Sequence, residues 1–177
     1  MGKDRGVQMK KLKVDVEDVA MIMDNYDRSG NQFYLDTETG EAICIPDELM
    51  NALEEGESCE GLPAWELEML PKAKEIVEGS DRYEEIPSRM SGEAYWLMVK
   101  FAGRVEESSL REKLRYALDG RGAFRRFKDT LREYPEVEKQ WFHFKAEKDK
   151  EEVKEWLESI GIEPIFSHSE QTEESRN

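Results

Sequence analysis

The chain has 177 residues, 38% of them hydrophobic and 38% charged, with four Trp, seven Phe and six Tyr. These large apolar side chains suffice for a buried core, so the charge reads as the skin of helices rather than as disorder. A formal net charge of −15 argues against general binding to nucleic acid or anionic membrane, whose phosphates it repels, and favours cationic partners.

Residues 1–11 read as a flexible basic arm with no apolar signal-peptide segment. From Val14 the stretch VDVEDVAMIMDNY places Val16, Val19, Met23 and Tyr26 on one helical stripe. Asp15 is the predicted N-cap, with Glu17 and Asp18 in the first turn, where the helix dipole favours acids.

QFYLDTETGEAICI is the clearest β signal, a hairpin turning at DTETG with a left-handed Gly40. A three-residue loop would pair Thr37 with Glu41 and place Phe33, Leu35, Ile43 and Ile45 on one face. Pro46 opens the next helix and Gly56 closes it. LPAWELEMLPKAKEIVEGS reads as two short helices, the second starting at Pro71, and RYEEIP as a short edge strand.

From Ser91 the pattern is helical throughout. SGEAYWLMVKFAGRV is apolar nearly all round, which predicts a central, buried helix. Ser109 and Glu112 form an expected capping box for a helix burying Leu110, Leu114, Ala117 and Leu118 and ending at Gly120. A further helix runs from about Gly122 to Tyr134, another from Pro135 with Val137, Trp141 and Phe144, and a last one carries Val153, Trp156, Leu157 and Ile160 before Gly161. All four tryptophans are expected in the core first. The tail SHSEQTEESRN has nothing to bury.

One segment opposes the charge of the rest. Residues 103–132 hold nine Lys/Arg and five Asp/Glu, a balance of +4, so the remainder carries −19. On the helix from Gly122, Phe124, Phe127, Leu131 and Tyr134 form a core face. Arg121, Arg125, Lys128 and Arg132 form a second stripe beside it, with Arg126 farther round. Cations at a helix start are unfavourable, and an anion bound there would relieve the cost. The arginines can equally serve as counter-ions to the chain's own carboxylates. Two helices joined by DGRG have the outline of a helix-turn-helix, but the acidic flanks argue against sequence-specific DNA binding.

Other chemistry is sparse. Cys44 and Cys59 fit no zinc or redox spacing and read as reduced cytosolic thiols. His143, within KQWFHFK, is the one weak catalytic candidate; His168 sits in the tail. Asp36, Glu38 and Glu41 read as turn-formers. No metal motif, phosphate loop or nucleophile elbow is present, so no cofactor or metal is expected and enzymatic activity is left undecided.

FYLDTETGEAI, ALDGRGAFRRFKDTL, WFHFK and EWLESIGIEP together resemble the pattern of an uncharacterised protein family, number 0158 in the UPF series, from about Lys11 to Pro164. The resemblance implies a bacterial or archaeal soluble protein and carries over no reaction and no catalytic residues.

The expected fold is α+β and mainly helical. A small helix and β-hairpin unit over 12–56 precedes a helical bundle over 62–166, with flexible termini at 1–11 and 167–177. The expected location is cytoplasmic. Three functions fit. The first is a binding or regulatory module whose basic stripe accepts an acidic protein segment or a phosphate-bearing ligand. The second is an enzyme acting on a phosphorylated or nucleotide substrate at that stripe. The third is a structural interaction domain whose arginines are paired internally.

Overall fold

A computed structural model describes residues 9–25, 28–58 and 61–165. It is mainly helical α+β, with seven helices and two small sheets among the described residues. The chain divides into two units. The first comprises residues up to Ser88 and from Val153 onward; the second is Arg89–Glu152. The chain thus leaves the first unit after Ser88 and returns to it at Val153.

The first unit begins with strand β1 (Lys10–Lys13), so part of the expected arm is ordered backbone. It pairs in parallel with the last strand, Ile162–Ile165. Helix α1 (Val16–Asp24) starts as predicted: the Asp15 carboxylate accepts from the Asp18 amide at 3.0 Å, and Val16, Val19 and Met23 are buried. Tyr26 and Cys59 lie outside the described residues.

Strands β2 (Asn31–Asp36) and β3 (Ala42–Pro46) form the hairpin, and β4 (Tyr83–Glu85), the RYEEIP strand, pairs with β2 on its other side. The register is one residue from expectation. Tyr34 opposes Ile43, Leu35 opposes Ala42, and the Asp36 amide donates to the Glu41 carbonyl at 2.9 Å, leaving a four-residue loop. The single apolar face is therefore wrong. Tyr34, Ile43 and Ile45 face one side; Phe33, Leu35 and Ala42 face the other.

The slip is tolerated because both faces are covered. One packs with α2 (Asp47–Glu55) and α3 (Ala64–Val77), and the other with α1, Val153, Leu157 and Ile162. Gly40 has φ +79°, and a Cβ there would lie 2.0 Å from the Lys13 carbonyl oxygen. The loop thus presses against β1 where only glycine fits.

Helix α2 ends at Gly56, φ +68°, as its sequence indicates. Helix α3 is one helix rather than two: Pro71 lies inside it, so the ring removes one backbone donor without ending the element. Trp65 is 56% exposed, not core.

The second unit is built from α4 (Ser91–Arg104), α5 (Ser108–Ala117), α6 (Ala123–Arg132) and the start of α7 (Pro135–Ser159). Its core holds Met98, Phe101, Leu110, Leu114, Phe127, Leu131, Trp141 and Phe144. Phe101, Phe127 and Trp141 meet edge to face, with centroids 5.0–6.4 Å apart. Helix α4 is not buried all round. Met98, Phe101 and Ala102 are buried, but Trp96 is 62% exposed. The capping box at Ser109 is also absent. Helix α5 is capped two residues earlier, at Glu107, whose carboxylate accepts from the Ser109 hydroxyl at 2.5 Å.

Helix α7 joins what the sequence suggested were two helices. No Gly or Pro interrupts its polar middle, and pairs one turn apart brace it: His143–Glu147, Lys145–Asp149, Lys148–Glu151 and Lys154–Glu158. In the second unit, the nearly buried Arg89 guanidinium also donates to Asp149 and Glu152, each at 2.8 Å. The final strand, Ile162–Ile165, is β5. Among the described residues no helix is long and apolar enough to cross a membrane.

Candidate functional site: the basic face of α6

The α5–α6 turn carries two left-handed glycines, Gly120 (φ +73°) and Gly122 (φ +75°). They allow the chain to reverse in a few residues without Cβ strain. Gly122 is the N-cap of α6 and offers no side chain to the first amides, and the first turn holds no acid. Helical periodicity then separates the faces as expected. Phe127 and Leu131 are fully buried, while Phe124 and Tyr134 pack at the edge of the same core.

The five predicted cations are all exposed, yet they do different things. Arg126 turns back to α5: its Nε donates to the Ala117 carbonyl at 3.1 Å and its Nη2 to the Asp119 carbonyl. It thereby closes the last turn of α5, whose terminal carbonyls lack helical partners. Arg111 repeats the device one helix earlier, donating to the Val105 and Glu106 carbonyls at 2.9 Å each. These two guanidinium forks fix successive helix ends.

Arg125 and Arg132 share one carboxylate, Asp129, at 3.6 and 2.9 Å. Their side chains remain 88% and 69% exposed, so both pairs are weak and solvated. Arg121 and Lys128 have no hydrogen bond or ion pair among the described residues. Neighbouring Lys113 on α5 donates to the Tyr134 hydroxyl at 2.7 Å, which holds its ammonium above the usual lysine range.

A cleft of about 470 Å³ opens at the start of this helix. Tyr95, Leu118, Ala123 and Phe124 give it apolar walls, and Gly120 and Gly122 line it on either side of Arg121. The Tyr95 hydroxyl donates to the Leu118 carbonyl at 3.1 Å, holding its ring in place. Gly92 and Ser91 complete the cleft. The sequence does not single out Tyr95 or Gly92 as site residues. The available signal was Gly92 itself, a glycine in the first turn of a helix whose backbone conformation does not require one.

His143 is elsewhere in the unit. It is exposed on α7, 3.4 Å from Glu147, and lines a smaller cleft with Arg104, Gln140 and Phe144; no α6 residue lines that cleft. The structure therefore places Arg121 and Arg125 at the start of α6, Lys128 in its middle and Arg132 at its end, and does not bring His143 to them. In the first unit, Asp36 is more deeply buried than Glu66, the other buried carboxylate among the described residues. It accepts from the Glu38 and Thr39 amides and from Arg82, whose guanidinium lies 2.6 Å away, and it titrates at about 2. These partners make it a turn lock.

The model of the uncharacterised protein family UPF0158 matches residues 10–176. The chain belongs to this family. It is 28% identical over 165 residues to UPF0158 protein PA5073 of Pseudomonas aeruginosa, covering 91% of this chain and 92% of that one. No solved structure matches. The family name assigns no activity, so the α6 face has to be judged on its own chemistry.

Proposed function

We propose that this protein is a cytoplasmic binding or regulatory module whose second unit receives an acidic protein segment on the basic face of α6. The observation that carries this reading is the state of Arg121 and Lys128. In a chain with 41 Asp and Glu, these two cations are exposed and unpaired among the described residues. The third neighbour, Arg125, holds only a solvated pair at 3.6 Å. Carboxylates of a partner would meet guanidinium forks and the open first turn of α6 together.

Charge distribution supports the choice of unit. Residues 89–152 carry fifteen Lys/Arg against thirteen Asp/Glu, a balance of +2, which leaves −17 for the rest of the chain. An extended polyanion such as duplex DNA would meet that repulsion over its whole length, whereas a short acidic segment need engage only the basic face.

The test is a thermal-shift titration with an oligoglutamate peptide, inorganic phosphate, nucleotides, RNA and DNA at low and high salt. The peptide should raise the melting temperature at low salt by mass action, and high salt should abolish the rise. An Arg121→Glu/Lys128→Glu variant should lose it. A shift retained in that variant, or no shift with the peptide, sinks the proposal.

A further inference from the structure

The cleft beside Arg121 has walls that acidic residues alone would not use. Tyr95, Leu118, Ala123 and Phe124 are apolar or aromatic, and the volume of about 470 Å³ admits a large side chain. Trp96, the neighbour of Tyr95 and 62% exposed, stacks edge to face on the Tyr95 ring at 6.1 Å. It lies one helical turn after Gly92 on α4, so it borders the same side of the helix.

Gly92 is the informative residue. Its backbone is not in the left-handed region, and a Cβ built on it would meet nothing within 4 Å. Neither conformation nor packing requires glycine there; Gly103 of the same helix is equally unconstrained, and of the two only Gly92 lines this cleft. A side chain at 92 would start in open space at the edge of the cleft that this residue lines.

Resting on the reading of α6 as an acidic-segment site, we infer that the cleft is its specificity pocket: the partner segment carries one bulky apolar residue flanked by acidic ones. The apolar side chain enters between Tyr95 and Phe124, and the flanking carboxylates reach Arg121 and Arg125, which adjoin the lining residues Gly122 and Phe124. Charge complementarity selects the class of segment, and the pocket selects its register.

The experiment compares two labelled nonapeptides by fluorescence anisotropy on the full chain. One has eight glutamates around a central tryptophan; the other has alanine at the centre. The tryptophan peptide should bind about 10-fold more tightly, the gain from burying one aromatic side chain. Gly92→Leu should fill the pocket and erase that difference, with a melting temperature at or above that of the parent. Gly92→Ala, the smaller change, should reduce the difference about 3-fold and guards against misfolding of the leucine variant. Equal binding of the two peptides, or a difference that survives Gly92→Leu, overturns the pocket. If both peptides bind equally and both are lost in Arg121→Glu/Lys128→Glu, the basic-face reading stands and the pocket falls. If neither peptide binds, both fall.

Discussion

The first unit holds eleven Lys/Arg against 28 Asp/Glu, a balance of −17, while the second holds fifteen against thirteen, +2. Both units use arginines in two ways, since Arg89 of the second unit also meets carboxylates and Arg28 of the first donates to the Ile86 carbonyl. In the sheet-containing unit, Arg82 meets a carboxylate: it pairs with the buried Asp36 and with Glu38 at 3.3 Å. In the helical unit, Arg111 and Arg126 are committed to backbone carbonyls at helix ends. An arginine bound to a carbonyl keeps its positive charge uncompensated. Net charge averaged over the chain therefore misdescribes both units, and the second presents a basic face inside an acidic protein.

The largest expected effect concerns the helical core. Phe127 is fully buried and packs edge to face on Phe101 and Trp141. Phe127→Ala should destabilise by about 4 kcal/mol in urea unfolding, combining lost transfer energy with a cavity. A cost below about 1 kcal/mol would show that the second unit does not depend on its aromatic cluster.

Next comes the charge lock of the first unit. Asp36→Ala removes the acceptor for two loop amides and leaves Arg82 without its main partner, for an expected loss of about 3 kcal/mol. The lock also gives a pH signature. Arg82 is the main cause holding the Asp36 carboxyl at about 2, below the ordinary 3.8. The stability that the ionised Asp36 carboxylate adds through Arg82 and the two loop amides is complete above the ordinary carboxyl range and disappears as pH falls through the folded value. Acid unfolding of Asp36→Asn should lack this component between about pH 4 and pH 2. Identical acid-induced losses in the two proteins would mean that the pair does not lock the turn.

These contrasts bear on what could be read from the sequence. Local signals were legible: the Asp15 cap, the left-handed Gly40, the ends at Gly56 and Gly161, and the two faces of α6. Readings that assumed one buried face failed. The hairpin slipped by a residue because Leu35 and Tyr34 each find a core of their own. The β1–β5 pairing was hidden because it is parallel and joins the two ends of the chain, with Leu12 the only buried residue of β1. Helix α7 looked divided because its middle is polar, and its bracing pairs only become neighbours once the helix exists. At the candidate site, the stripe was legible but the division of labour was not. A guanidinium bound to a carbonyl leaves no mark in the sequence, since every residue has a carbonyl. Arg126 therefore looked like its neighbours.

That division supplies the third prediction. Arg126→Ala should cost about 1 kcal/mol, because the Ala117 and Asp119 carbonyls revert to water at the end of α5. Its effect on oligoglutamate binding should be no larger than its loss of one screened charge. If Arg126→Ala abolishes binding while leaving stability untouched, the fork is part of the site rather than a helix clamp.

The smallest effect on stability is expected where the effect on binding is largest. Arg121 and Lys128 touch no carboxylate or carbonyl among the described residues, so reversing their charge removes no intramolecular bond. Arg121→Glu/Lys128→Glu should change unfolding free energy by no more than about 0.5 kcal/mol, the usual range for exposed sites. A slight gain is expected at position 121, because it lies just before a helix start that favours acids. A purely structural stripe predicts the opposite: if these cations were counter-ions to the chain's own carboxylates, the double reversal would replace attraction by repulsion and lower the melting temperature by several degrees. One unfolding curve thus separates cations the fold uses from cations left available to a partner.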